Sequence, residues 1–215
     1  MVLGWMALAW TAQTAELDPP VRAWLQHQPE LSTWSARLTQ TRRLQTLTQP
    51  LVNRGQVWFS APNSFRWQIG EPPATIAIRD RDRLVVLYPR LERAERYPLD
   101  AANPLQDSLS LLDAGFPRNE QDLLNRFNVL EQNQQENQFE LVLQPKNAGA
   151  RRLLPKIRVR FSTEDFTLRS TELEFADGST MRNDFSEVQL NPTLPETLFD
   201  ATVPEGFTIV ELSLQ

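Results

Sequence analysis

The side chains able to do chemistry are few and poorly placed to cooperate. The chain has one histidine, His27, and no cysteine. The absence of cysteine removes thiol nucleophiles, thiolate metal ligands, disulfides and a lipid-modified N-terminal cysteine. A lone histidine cannot build the usual multi-histidine metal site, and His27 falls near the end of an expected helix, where it reads as a surface residue. A Ser–His pair is equally poorly supported. Carboxylates are plentiful, and Glu172, Glu174 and Asp177 are nominal members of a glycosidase-like acid pair. Acids that alternate along a strand mark its solvated face, so no catalytic residue is assigned and a non-enzymatic protein is expected. The seven glycines form no G-x-G-x-x-G, no phosphate-binding loop and no G-x-S-x-G, and no H-E-x-x-H is present. No metal and no cofactor are expected.

With reactive groups set aside, the most informative stretch is Gly55 to Trp67, GQVWFSAPNSFRW. Two aromatic segments, Val57–Phe59 and Phe65–Trp67, flank the turn-forming residues Ala61, Pro62, Asn63 and Ser64, which predicts a β-hairpin. Phe65, Trp67 and Ile69 fall at period two and share a dry face, with Arg66 and Gln68 on the other.

A chain of 215 residues with net charge −5 suits one β-sandwich or barrel, and a single domain over 16–215 is expected. No basic tract stands free of acids, so nucleic acid is not an expected partner. Residues 1–15 are read as the remnant of a secretory signal: Val2 to Trp10, VLGWMALAW, is apolar and uncharged, followed by small and polar residues, and is too short to span a bilayer. Export is expected from it.

Along the chain, Asp18 with Pro19 and Pro20 opens a short amphipathic helix carrying Val21, Trp24 and Leu25, which Pro29 stops. Trp34–Leu44 alternates as a first strand. Thr75–Ile78, Leu84–Tyr88 and Glu92–Tyr97 are further strands, with RDRDR between the first two expected as a solvated turn. Leu105, Leu109 and Leu112 repeat at helical spacing, Gly115 and Pro117 end that helix, and Leu123, Leu124 and Phe127 begin a second. Phe127–Leu130 and Phe139–Leu143 flank the polar EQNQQENQ, expected as a loop or hairpin end. Strands follow around Ile157–Phe161, Leu173–Phe175, Thr180–Val188 and Phe199–Val210. Successive hairpins predict an antiparallel sheet that curls to hide its edges.

The order of these elements and the residues at their joints resemble the periplasmic outer-membrane lipoprotein carrier (LolA) family. The resemblance rests on WSARLTQ from Trp34 to Gln40, the Gly55–Trp67 hairpin with Pro62, Asn63, Phe65 and Trp67, and the strand reaching Leu87, Tyr88 and Pro89. It continues through the paired helices after Pro104, FELVLQPK from Phe139 to Lys146, and the ending Phe199–Phe207 with Pro204 and Gly206. Nearly all of the chain after residue 20 is covered.

The resemblance implies a mainly β fold with a few short helices: an incomplete, half-open antiparallel β-barrel with a helical lid. It implies a periplasmic carrier that takes the acyl chains of lipoproteins into a hydrophobic cavity and moves them from the inner to the outer membrane. Its implied partners are acylated cargo, an inner-membrane release complex and an outer-membrane receptor, with the carrier itself a monomer. Trp34, Leu38, Trp58, Phe65, Trp67 and Leu87 become cavity candidates, and Leu105, Leu109 and Leu112 lid candidates. The family's arginine immediately before the hairpin proline, which latches the lid, is Ala61 here, and Arg66 belongs to the opposite face. That departure leaves a second reading open: a carrier or sensor for another acylated molecule, a glycolipid or lipid-linked precursor, on the same half-barrel.

Overall fold

In the computed structural model, residues 16–80, 83–98 and 117–212 are described. The signal-like segment 1–15 and the lid candidates Leu105, Leu109 and Leu112 lie outside the described residues. Helix α1 spans Pro19–His27 and continues into a 3-10 turn at Gln28–Glu30. Six strands follow: β1 Thr33–Arg43, β2 Leu51–Ser60, β3 Ser64–Ile69, β4 Thr75–Asp80, β5 Arg83–Tyr88 and β6 Arg93–Pro98. Then come α2 Glu120–Arg126, β7 Phe127–Gln135, β8 Gln138–Pro145, α3 Ala148–Leu153, β9 Lys156–Ser162, β10 Leu168–Glu174, β11 Thr180–Leu190 and β12 Thr208–Glu211.

All twelve strands form one sheet in the order β12-β6-β5-β4-β3-β2-β1-β11-β10-β9-β8-β7. Among the described residues β7 and β12 do not pair, so the sheet is open. It nevertheless curls, because Trp34, Leu38 and Val57 from its middle and Phe139, Val159 and Phe161 from the β7 side meet in one core with α1. Trp24 of α1 stacks on Phe161 with ring centroids 4.6 Å apart and planes 5° from parallel. Helix α1 thus covers part of the inner face, where apolar side chains recur at period two on β1, β3, β8 and β9. The architecture is the expected half-open, mainly β barrel with short helices.

Gly55 allows two strands to approach closely. A Cβ there would lie 2.0 Å from the Gln68 carbonyl oxygen, so any other residue would push β2 away from β3.

Several expectations need correction. The final strand pairs parallel with β6, whereas hairpin logic predicts antiparallel pairing throughout; the segment 191–207 runs over the outer face before β12 begins. There Ala201 joins Ile78, Val85, Leu87 and Ala94 in a second core, with Val203 and Phe207 packed against it. The charged RDRDR is not simply a solvated turn, since β4 runs to Asp80 and Arg79 is 7 % exposed on the inner face. The polar EQNQQENQ is largely strand, because β7 continues to Gln135 and backbone pairing with β8 supplies what its side chains do not. Phe127 opens β7 rather than a helix. Helix α3, six residues capped by the Asn147 side chain on the Ala150 N–H at 2.9 Å, is too short for periodicity to disclose.

Candidate functional site

Strand register sorts the cavity candidates by face. Val57 pairs with Trp67, Phe59 with Phe65, Phe65 with Arg79 and Trp67 with Ala77, so these residues share the inner face with Trp34, Ala36 and Leu38 of β1. Trp34 and Leu38 are 1 % and 2 % exposed and belong to the sealed core beneath α1. Trp34 and Trp67 both set an edge against Phe185, with centroid distances of 5.2 and 6.2 Å. Trp67 therefore stands at the border between that core and the face beyond it.

Trp58 and Leu87 do not join this face. Trp58 pairs with Arg66, and Leu87 with Ile76 and Ala94, which places both on the outer side of the sheet. The reason is the period of two: Trp58 lies between inward Val57 and Phe59, and Leu87 between inward Val86 and Tyr88. Leu87 is buried beneath the segment that carries Ala201.

Sequence reasoning missed most of the apolar residues that share this inner face. Phe65 and Leu84 are buried together, with Phe59, Trp67, Ala77, Val86 and Tyr97 packed around them. The signal was present in the alternation of β4 and β5, once their inward register is fixed by Phe65. Farther along the same face, Glu95 accepts hydrogen bonds from Tyr97 Oη at 2.7 Å, Tyr88 Oη at 3.2 Å and Arg93 Nη2 at 2.6 Å. Burial, together with the Glu95 carboxylate, pushes both phenols above their ordinary pKa, so they remain donors. This cluster closes the polar end of the wall.

At the hairpin tip a cavity of about 720 Å³ opens between Gln28–Pro29 and Leu31, Phe59, Ala61–Asn63, Arg79, and the segment Pro117–Asn119 with Asp122 and Arg126 of α2. Such a volume falls in the range of small-molecule sites. Arg118 Nη2 donates to Asn63 Oδ1 at 3.2 Å, joining the hairpin tip to the approach of α2. Arg66 points outward, and its Nη1 donates to the Leu198 carbonyl at 3.2 Å. Ala61 contributes no side-chain charge, but its N–H donates to the Ser32 carbonyl at 2.8 Å. Arg126 pairs with Asp122 at 2.8 Å.

The nominal acids are occupied structurally. Glu172 and Glu174 both pair with Arg158, at 2.9 and 3.3 Å, and Asp177 Oδ1 accepts from the Ser179 N–H and hydroxyl at 2.9 and 2.6 Å. His27 Nδ1 hydrogen-bonds the Ala23 carbonyl at 2.8 Å, and its ring stacks on Phe166 at 4.3 Å. Among the described residues no group of three or more His, Asp or Glu side chains is placed to hold a metal ion.

Comparison with known proteins adds an independent line. The family model for "Outer membrane lipoprotein carrier protein LolA" matches residues 29–202. A protein of Bordetella avium named outer-membrane lipoprotein carrier protein is 28% identical over 170 residues, covering 77% of this chain and 74% of the relative. One of the same name from Chromohalobacter salexigens is 24% identical over 156 residues, covering 73% and 70%. The crystal structure of an uncharacterized conserved protein from Thermus thermophilus aligns with a TM-score of 0.52 at 8% identity, covering 87% of this chain and 97% of that one. That last likeness is one of fold.

Proposed function

The chain belongs to the LolA family of outer membrane lipoprotein carrier proteins, and from this premise we propose that it is a non-enzymatic periplasmic carrier whose inner wall takes up the acyl chains of lipoproteins between the inner and outer membranes. The observation that carries the proposal is the wall of Phe59, Phe65, Trp67, Ala77, Leu84 and Val86, continuous through Phe59 with the cavity at the hairpin tip. Trp34 and Leu38 support that wall from the core, and Leu105, Leu109 and Leu112 stay candidates for its lid. A release complex at the inner membrane and a receptor at the outer membrane would be the partners, with the carrier acting as a monomer.

The energetics favour partial burial of the cargo. Burying one methylene contributes about 0.8 kcal/mol, so a fully covered sixteen-carbon chain would be held by roughly 12 kcal/mol and released very slowly. A wall that leaves Phe59 and Trp67 partly exposed grips less and lets go.

A second reading is favoured by the mouth. Ala61, standing where the family resemblance leads one to expect the latching arginine, brings no charge to its lip, so the same half-barrel also suits a carrier or sensor for another acylated molecule, a glycolipid or lipid-linked precursor.

Native mass spectrometry of the protein purified from its own envelope tests both readings. Co-purified lipoprotein supports the first and an acylated small molecule the second. An empty protein that extracts nothing from membranes overturns carriage altogether. Trp67→Glu, checked for folding by circular dichroism, is expected to abolish uptake of a hydrophobic dye. Undiminished uptake would remove Trp67 from the wall.

A further inference from the structure

The end of the sheet opposite the hairpin tip exposes aliphatic side chains among arginines. Leu47, Leu51, Val52 and Leu153 are 45, 44, 58 and 61 % exposed, and Arg42, Arg43 and Arg152 are exposed beside them. Backbone pairing places these at one end of the sheet, around its rim. Arg42 is the cross-strand partner of Leu51, and Thr41 of Val52, while Arg43 faces Thr180 of β11. Gln45 Nε2 in the β1–β2 loop donates to the Gly178 carbonyl at 2.9 Å, and the Ala176 N–H donates to the Leu153 carbonyl at 3.1 Å. A groove of about 410 Å³ runs between Arg42, Leu44, Leu153 and Phe175.

Two acids lie nearby. Asp177 is exposed and lines the same groove, its carboxylate held on the Ser179 N–H and hydroxyl, and Glu174 pairs with Arg158, which leaves Arg42, Arg43 and Arg152 in excess. The surface is therefore locally positive on a chain whose net charge is −5.

We propose that this end docks on an anionic phospholipid surface, with the arginines on lipid phosphates and the leucines inserted among the head groups. Charge complementarity is the first reason: a chain of net charge −5 is repelled as a whole by an anionic leaflet, whereas the exposed arginines at this end are attracted to it, which favours one orientation of docking. Composition is the second. The cores of protein–protein interfaces are enriched in aromatic residues, whereas the exposed apolar groups here are aliphatic and set on separate connections around exposed arginines, as on surfaces that lie in a membrane interface. The cavity mouth at Ala61–Asn63 lies at the far end of β2 from Leu51, ten residues away, roughly 30 Å of strand. Docking thus leaves the mouth facing away from the lipid and holds whether or not the cavity takes acyl chains.

Flotation of the full chain with vesicles tests it. The expected result is binding to phosphatidylglycerol/phosphatidylcholine vesicles that exceeds binding to pure phosphatidylcholine and falls as salt rises. The combined variant Arg42→Gln, Arg43→Gln, Arg152→Gln should weaken binding to the anionic vesicles roughly 100-fold, since each surface arginine contributes about fivefold. Leu47→Ser with Leu153→Ser should also weaken it with every arginine in place, and both positions are exposed enough for the fold to survive. Equal flotation with the two lipids, or an arginine variant that floats like the native chain, would overturn the proposal. So would a native chain that stays unbound while capturing an envelope protein through the same arginines, which would assign the surface to a protein partner.

Discussion

Gly55→Ala is the substitution whose effect can be worked most directly from geometry. The new methyl carbon would sit 2.0 Å from the Gln68 carbonyl oxygen, 3.0 Å from the carbonyl carbon and 3.2 Å from Ile69 Cα. All three obstacles are backbone, so no rotamer change relieves them. Ordinary contact begins near 3.4 Å, and restoring it requires β2 and β3 to part by more than an ångström. A ladder hydrogen bond of normal length does not survive that separation. Overpacking typically costs about 1–3 kcal/mol, and each hydrogen bond lost adds about 1 kcal/mol, so a destabilisation of at least ~3 kcal/mol is expected. With a urea m-value of about 2–3 kcal/mol/M for a chain of this size, the denaturation midpoint should fall by about 1 M. Gly206→Ala is the control: its φ of +87° is strained for alanine but nothing lies within 4 Å, so only about 1 kcal/mol should be lost. If Gly55→Ala moved the midpoint no more than Gly206→Ala does, the idea that close approach of β2 and β3 shapes the wall would be wrong.

Trp24→Ala removes a side chain 1 % exposed and stacked on Phe161; thermal or urea unfolding should show a loss of about 3–5 kcal/mol. Leu87→Ala should cost about 2–5 kcal/mol in the same assay while dye uptake per folded molecule stays native, because Leu87 packs on the outer face. Reduced uptake by the folded variant would contradict that placement. Burial alone would raise the Asp165 carboxyl, but hydrogen bonds from Thr167 and Ser162 and the Arg169 charge hold it below its ordinary 3.8. A depressed carboxylate stabilises the fold above the unfolded pKa and loses that contribution as pH falls through the folded one. Asp165→Asn should therefore lower the urea midpoint at pH 7, with the gap to the native chain closing below pH 3.8; a gap independent of pH would exclude this origin.

Strong alternation made much of the fold legible. Trp34, Ala36 and Leu38 disclosed β1, and Phe65, Trp67 and Ile69 disclosed both the hairpin and its dry face, because one buried side imposes a period of two. The face of an isolated residue was less legible. Trp58 and Leu87 have the right chemistry for a cavity, but only register reveals that they point outward. Arg79 illustrates the converse: a charge within RDRDR reads as solvent-seeking, yet its place two residues beyond Ala77 carries it inward. The parallel pairing of β12 with β6 depends on where the 191–207 segment travels, which no local pattern encodes. A helix of six residues such as α3 spans fewer than two turns, too few for a period of 3.6 to show.

The covering of the outer face by Ala201, Val203 and Phe207 bears on how the protein comes to be folded. Strands β1 to β6 can zip up as local hairpins, but the other edge of β1 must wait for β11, about 140 residues later, and the outer side of β4–β6 for residues 201–207. Until those arrive, Ile78, Val85 and Leu87 face water on a half-built sheet. Closures between distant parts of a chain are slow because loop entropy must be met before the contacts reward it, and uncovered apolar strands are prone to associate meanwhile. While it folds, this chain should therefore depend on a holding chaperone until its last hundred residues have been delivered, a dependence that truncation after β11 would make permanent.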